Sequence, residues 1–534
     1  MKNHPPARRR TLVWVISVST WLALGLAGCN REGPSAPLPP PAPEQPAEAN
    51  SEQVHQFCGA CHAYPPPDIV PRSGWRFEVE RGYHFFESPT PANLQLRRSL
   101  KIPSKERVIQ YYENRAPDAL ALLRNETPAT PAPVRFQVKP WPSPPDLRFP
   151  AIANVNLVHL SDPRKLDLLA CDMRSGKLLA MKPYEPEPTW RVLGQVGHPA
   201  HAEVVDLDGD GIKDILVADL GNFKPTDGPV GRIIWLRGRA DGGFTPFCLL
   251  EGVGRVADVQ AADFSGNGKL DLVVAAFGWQ NTGEVIYLEN RTTDWSRPVF
   301  VPRVLDDRHG AIHVPVADLN GDGRPDFVAL ISQEHETVVA FLNEGHGRFR
   351  RETIYTAPHP AFGSSGIQLV DLNGDGRLDV LLTNGDVLDE PYLLRPYHGI
   401  HWLENRGSFP FVHHQLASMY GVHRAVAADF DGDGDLDIVA VSFLPPETFP
   451  QREELALDAM VFLEQTEPGK FVRHVLETRS CDHPTCAAGD WNGDGKIHLV
   501  TGNFCLTERY RLANAVTLWK NEEVIRKPPG KKPH

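Results

Sequence analysis

Apolar residues in this chain fall into short continuous runs rather than helical stripes, and beyond about residue 150 the runs return at even intervals. A run too short for a helix and bounded by turn residues reads as a buried strand. Seven such strands recur: Lys177-Leu-Leu-Ala-Met181, Arg232-Ile-Ile-Trp-Leu236, Glu284-Val-Ile-Tyr-Leu288, Thr337-Val-Val-Ala-Phe341, Gly399-Ile-His-Trp-Leu403, Asp458-Ala-Met-Val-Phe462 and Asn514-Ala-Val-Thr-Leu518. A further strand follows in the first six units, as in Arg348-Phe-Arg-Arg-Glu-Thr-Ile354 and Lys470-Phe-Val-Arg-His-Val-Leu476. The seventh unit lacks it. Val134-Arg-Phe-Gln-Val138, ahead of the first unit, carries the missing pattern, so strand 134–138 is expected to close the last blade of a ring and remove two open sheet edges.

Between the first two strands of six units lies a loop with an oxygen-bearing side chain at every second position and glycine where the backbone turns. Its fullest form is Asp429-Phe-Asp431-Gly432-Asp433-Gly434-Asp435-Leu-Asp437. The first acids of the six loops, Asp206, Asp263, Asp318, Asp371, Asp429 and Asp490, are 57, 55, 53, 58 and 61 residues apart. Carboxylates about 4 Å apart repel by roughly 1 kcal/mol in water and about 4 kcal/mol at an effective dielectric near 20. Such a loop calls for a cation, and hard oxygens in this number suit calcium better than magnesium. The expected ligands are Asp206, Asp208, Asp210 and Asp214 in the first loop, and Asp263, Ser265, Asn267 and Asp271 in the second. The third and fourth offer Asp318, Asn320, Asp322 and Asp326, then Asp371, Asn373, Asp375 and Asp379. The fifth offers Asp429, Asp431, Asp433 and Asp437, and the sixth Asp490, Asn492 and Asp494 before ending in His498. The loops at Asp206 and Asp429 hold the most carboxylates and are expected to bind most tightly. In the first unit, Leu157 to Asp167, the alternating acids are lost. An EF-hand is excluded, because its longer loop is flanked by helices and closes on a glutamate.

These nine-residue loops, set between β-strands, resemble the FG-GAP or VCBS-like repeats of calcium-carrying propellers such as that of integrin α chains. The resemblance spans roughly residues 130 to 522. It implies a mainly β fold, a seven-bladed propeller over 127–522, followed by a polar tail at 523–534.

The N-terminus changes the picture. Arg8-Arg9-Arg10, the apolar run Thr11 to Leu24 and the small residues before Cys29 have the zones of an export signal over 1–28. Leu26-Ala27-Gly28-Cys29 resembles a bacterial lipoprotein lipobox, which implies lipidation at Cys29, a membrane anchor and a place in the cell envelope; cleavage nearby without lipidation is the alternative. Residues 29–50 are a Pro/Ala-rich tether. Loss of 1–28, with four basic groups and no acid, lowers the net charge by four from −12 to −16, and six calcium ions would return 12 of that. So acidic a surface argues against nucleic acid as a partner.

After the tether, Cys58-Gly-Ala-Cys61-His62 has the spacing at which two thiols form thioethers to haem while the histidine takes an axial position. A disulfide or half of a zinc site is the alternative for the thiols. Residues 51–126 resemble a small α-helical c-type cytochrome, the stretch Ile102 to Pro117 standing for its last helix with Ser104 as N-cap and Glu106 in the first turn. That implies haem c as cofactor. The family's methionine ligand is absent, since no methionine lies between Cys61 and Met173; His84 is the expected replacement, with His55 second. A disulfide is expected among Cys481, Cys486 and Cys505, pairing open, with Cys171 and Cys248 elsewhere in the repeats.

Histidines 198, 201, 313, 423 and 483 stand just before the loops, either lining a channel or bonding between blades, and Trp235, Trp402 and Trp519 are expected to pack between blades. Three functions compete. One is an envelope lipoprotein whose propeller binds a ligand while its haem moves electrons, with the redox partner or extracellular ligand unidentified. The others are a haem-coupled sugar or alcohol dehydrogenase, and an adhesion protein without redox chemistry. No nucleophile motif or dinucleotide fingerprint supports catalysis.

Overall fold

The computed structural model describes residues 48–88, 91–123 and 131–524. The signal-like segment, Cys29, most of the tether and the tail from 525 lie outside the described residues.

Seven antiparallel sheets stand in a ring. The first comprises Ile152–Val158, Asp167–Asp172, Lys177–Met181 and Arg191–Gln195, from the axis outward. Sheets two to six span 199–253, 256–306, 311–356, 364–418 and 422–478. The seventh has Thr485–Gly489 innermost, then His498–Gly502 and Asn514–Val524; its outer strand is Val134–Pro142, paired antiparallel from Val134 opposite Val524 to Pro142 opposite Asn514. Each innermost strand touches the next round the ring, including the first against the seventh. Pro315 lacks an N–H and splits the fourth blade's innermost strand into Ala311–His313 and Val316–Ala317.

The second strand of each blade is buried along its whole length, from Asp167–Asp172 to His498–Gly502. Both its faces meet neighbouring blades, so its sequence is a continuous apolar run instead of an alternation. The core is accordingly a set of inter-blade layers, such as Trp235, Val259 and Val274 between the second and third blades and Phe430, Phe462 and Trp519 between the sixth and seventh. Trp235, Trp402 and Trp519 are all buried there or nearby.

Ahead of the propeller come four helices: α1 (Ser51–Cys58), α2 (Trp75–Glu87), α3 (Pro91–Ser99) and α4 (Lys105–Glu113). Asn50 caps α1 by accepting the Glu52 N–H at 2.8 Å. Ser104 holds the N-cap position of α4, but its side chain makes no capping bond; its carbonyl instead accepts the N–H groups of Arg107 and Val108. Trp75 stacks on Tyr112 at 3.8 Å, joining α2 to α4, and Phe57 lies between Tyr83 and Phe86. This core continues into the propeller through Ala361, Leu393 and Tyr397. Arg81 donates to the Glu390 carbonyl, and Leu123 N–H to the Tyr420 hydroxyl at 2.7 Å.

Successive antiparallel strands send their connections to alternate ends of the ring. All six acidic loops therefore lie on one face, and the helices rest on the other.

The expected disulfide is absent. Cys481, Cys486 and Cys505 are buried free thiols, as Cys481 turns into a cluster with Tyr420 and Leu444 while Cys486 joins the layer between blades six and seven.

Candidate metal loops and haem-attachment motif

Four of the six acidic loops share one internal wiring, while Asp371 takes two turn amides and Asp206 one. The first acid accepts backbone N–H groups from the turn: Asp429 takes those of Gly432, Asp433 and Gly434, and Asp263, Asp318 and Asp490 do the same at equivalent positions. The third and fifth side chains accept from amides two residues on, as Asn320 and Asp322 do from Asp322 and Arg324. Gly432 and Gly434 have φ of 72° and 99°, which aims these amides inward at a conformation other residues resist.

The ninth acid is different. Asp326 is fully buried and bridges two strands, accepting Leu319 N–H on one oxygen and Asn343 N–H on the other. Asp214, Asp379 and Asp437 make the same pair of bonds, and Asp271 differs only in taking the N–H of the third loop residue, Ser265, beside that of Asn290. A carboxylate has about four acceptor sites, so the latch leaves capacity for a cation. Even the degenerate first loop keeps the latch, with Asp167 accepting the Ser161 N–H and the Tyr184 hydroxyl.

Counter-charge separates the loops. Arg237 sits 2.6 Å from Asp208 and 3.6 Å from Asp210, while Arg324 and Arg377 pair with Asp322 and Asp375. Around Asp429 no such pair occurs among the described residues, and an oxygen from each of Asp429, Asp431 and Asp437 lies within 4.8 Å of the others. Burial, then repulsion from Asp433, pushes Asp431 up to about 6; burial, then repulsion from Asp431 and Asp433, pushes Asp437 up to about 8 against the bond from Gln465. This is the loop with the greatest unmet need for positive charge.

His498, outside the expected ligand set, proves part of its loop. It replaces the ninth acid, accepting Asn521 N–H at its Nδ1, and its Nε2 lies 3.5 Å from Asp494 Oδ1 in a group with Asp490. The only sequence signal was its position.

At the opposite face, Cys58 ends α1 half-buried and Cys61 is exposed in the following turn; both are free thiols. His62 places Nδ1 2.8 Å from the Ala63 carbonyl. An Nδ1–H donated to a carbonyl leaves Nε2 as the metal-binding nitrogen. The donor set therefore fits haem attachment. Burial pushes the Cys58 thiol up to about 11, and burial followed by the charge of Glu334 raises that of Cys61. His84 is exposed on α2 beside Phe85, and no hydrogen bond or ring contact joins it to Cys58, Cys61 or His62 among the described residues. His55 stacks on Tyr64 at 3.8 Å.

The recurrent histidines divide. His198 and His423 bond to Met173 and Pro484 carbonyls of neighbouring blades, and His483 to Asn503 and Glu477. His201 and His313 instead converge on Asp258, at 3.5 and 3.8 Å, with Arg424 3.4 Å from His313. All four stand on innermost strands, so the axis is crossed by an ion network. The charges of His201 and His313, with the Val314 N–H, hold the Asp258 carboxyl well below its usual range despite burial.

The architecture is that of a seven-bladed propeller carrying repeated acidic loops. A family model for the FG-GAP-like repeat matches residues 206–274, 318–382 and 383–440, and the chain carries these repeats. Among solved structures it is similar to a chain in the crystal structure of BBS1N in complex with ARL6DN, soaked with mercury, at 12% identity over 73% of this chain and 98% of that one, with a TM-score of 0.43. No curated protein matches the sequence.

Proposed function

We propose that this is a lipid-anchored envelope protein whose calcium-stiffened propeller serves as a binding scaffold and whose Cys58, Cys61 and His62 carry a covalent haem for electron transfer. The observation that carries the redox part is the Nδ1 contact of His62 with the Ala63 carbonyl, beside two free thiols at attachment spacing. A bound haem would supply one-electron chemistry. The chain's own part is to hold His62 in one tautomer, to pack Tyr64, Tyr83 and Tyr112 around Cys58, and to fix the helices on the propeller through Arg81 and Tyr397. Calcium would occupy the acidic loops, most tightly at Asp429 to Asp437. His84 would be the candidate for a second iron ligand if α2 brought it to the haem, and two imidazoles would give a lower potential than a Met/His pair.

The test is expression in a host competent for c-type haem assembly. Covalent haem that survives denaturing electrophoresis, with a low-spin spectrum, is expected. Protein matured there without covalent haem would end the electron-transfer reading and leave the binding scaffold favoured by the FG-GAP-like repeats.

A further inference from the structure

The face that carries the helices holds a second kind of ligand cluster. His309 precedes the fourth blade, and Glu334 and His335 form the turn between that blade's second and third strands, Asp326–Ile331 and Thr337–Asn343. His309 Nε2 lies 2.9 Å from Glu334 Oε2, and His335 Nε2 lies 3.8 Å from Glu334 Oε1. The two imidazole rings meet at 5.0 Å, and one ligand atom from each residue falls within 4.8 Å of the others. A tetrahedral ion with bonds of about 2.0–2.1 Å sets its ligand atoms roughly 3.4 Å apart, a value that the two measured separations bracket.

The backbone holds the three in place. Gln333 and Glu336, on either side of the pair, have φ of 57° and 39°, which non-glycine residues adopt only under constraint. The constraint is visible: the buried Glu336 carboxyl accepts Gly363 and Ser364 N–H at 2.8 and 3.0 Å. On the other side Ser332 donates both its N–H and its hydroxyl to the Gly310 carbonyl, tying the His309 segment to the turn. At Gly283 a Cβ would come within 2.8 Å of the His309 Cα and Cβ, so that glycine lets the segment lie close. All three ligands are partly open to solvent, which gives an ion a path in.

We propose that His309, Glu334 and His335 form a divalent transition-metal site of zinc type, with at least one coordination position open to an exogenous ligand. Two imidazoles and one carboxylate are a borderline donor set, which prefers zinc and its first-row neighbours to calcium. The site is thus chemically distinct from the oxygen-rich loops of the far face and independent of both the calcium and the haem readings. It lies close enough to the attachment motif for the Glu334 charge to act on Cys61.

The test is equilibrium dialysis of the calcium-saturated full chain against Zn2+, with metal counted per protein, for the wild type and for Glu334→Gln and His335→Ala. Glu334→Gln keeps the side chain's shape and a hydrogen-bonding oxygen, so its fold survives and is checked by melting. Thiols and the His498 loop also take zinc, so the difference between proteins is the readout. The wild type should bind one equivalent more than either variant, with calcium content equal in all, and Co2+ in its place should give a visible d–d band that Glu334→Gln lacks. Equal zinc in wild type and variants, or a Co2+ spectrum unchanged by Glu334→Gln, would overturn the assignment.

Discussion

The two faces of the propeller are built by opposite rules. On the acidic-loop face one nine-residue pattern is used six times, with the first acid taking three turn amides in four copies and a buried ninth acid latching the loop in five. On the helix-bearing face the connections between second and third strands range from four residues, 173–176, to fifteen, 443–457. The difference teaches where repetition informs and where it cannot. A ligand set copied along the chain announces itself by its period, whereas His309 and Glu334-His335, 25 residues apart, meet once and only through folding.

The sharpest way to break this contrast is at the attachment motif. Replacing Cys58 and Cys61 with alanine should abolish covalent haem altogether while leaving calcium uptake unchanged, as judged by haem staining and metal analysis. A parallel loss of calcium would mean that the faces are not independent.

Within the loop face the next largest effect belongs to the latch. Asp326→Ala strands two buried N–H groups, those of Leu319 and Asn343, at roughly 1–3 kcal/mol each. The exposed fifth acid Asp322, changed to alanine, should cost under about 1 kcal/mol in chelator. Denaturant titrations of both variants without calcium check the order, and near-equal losses would refute a structural role for the ninth position.

The helix-bearing face should show its own pH response. His398 is wholly buried with neither ring nitrogen hydrogen-bonded, and burial, then the charge of Arg395, holds its pKa well below the usual 6.5. The folded state therefore refuses a proton that the unfolded chain accepts, and stability falls as pH drops below about 6.5, by roughly 1.4 kcal/mol per pH unit. His398→Leu removes that penalty. Melting of the variant relative to the wild type should rise progressively from pH 7 to pH 5, and a constant difference would show that the imidazole is protonated in the fold.

A backbone effect is confined to the loop turn. Gly374, at φ 72° in open space, meets nothing when a Cβ is added. Gly374→Ala should cost only about 1–2 kcal/mol, through conformation alone.

Much of the loop face was legible in the sequence, because each strand is an apolar run and each turn repeats the same acids. The spacing of Asp206 to Asp490 marked the blades, and the pattern of the seven third strands gave their number. Hidden from view were interactions without period. Arg237 reaches back from the third strand to Asp208, weakening the case that the Asp206 loop is the equal of the Asp429 loop. Cys481 and Cys486 stay free because they enter different apolar clusters, and proximity in sequence says nothing of that. His201 and His313 were picked out by position, but their meeting with Asp258 and Arg424 arises from four different blades closing on one axis.

Calcium as the organiser of the loop face is the core of the proposed function. It is tested most directly by melting the full chain in excess calcium and in excess chelator. An ion that binds only the native state adds roughly 2.7 kcal/mol per site at a hundredfold excess over Kd. A large fall in Tm in chelator is expected, with the Asp429 loop the last to empty as free calcium is lowered; an unchanged Tm would mean that the loops do not hold calcium.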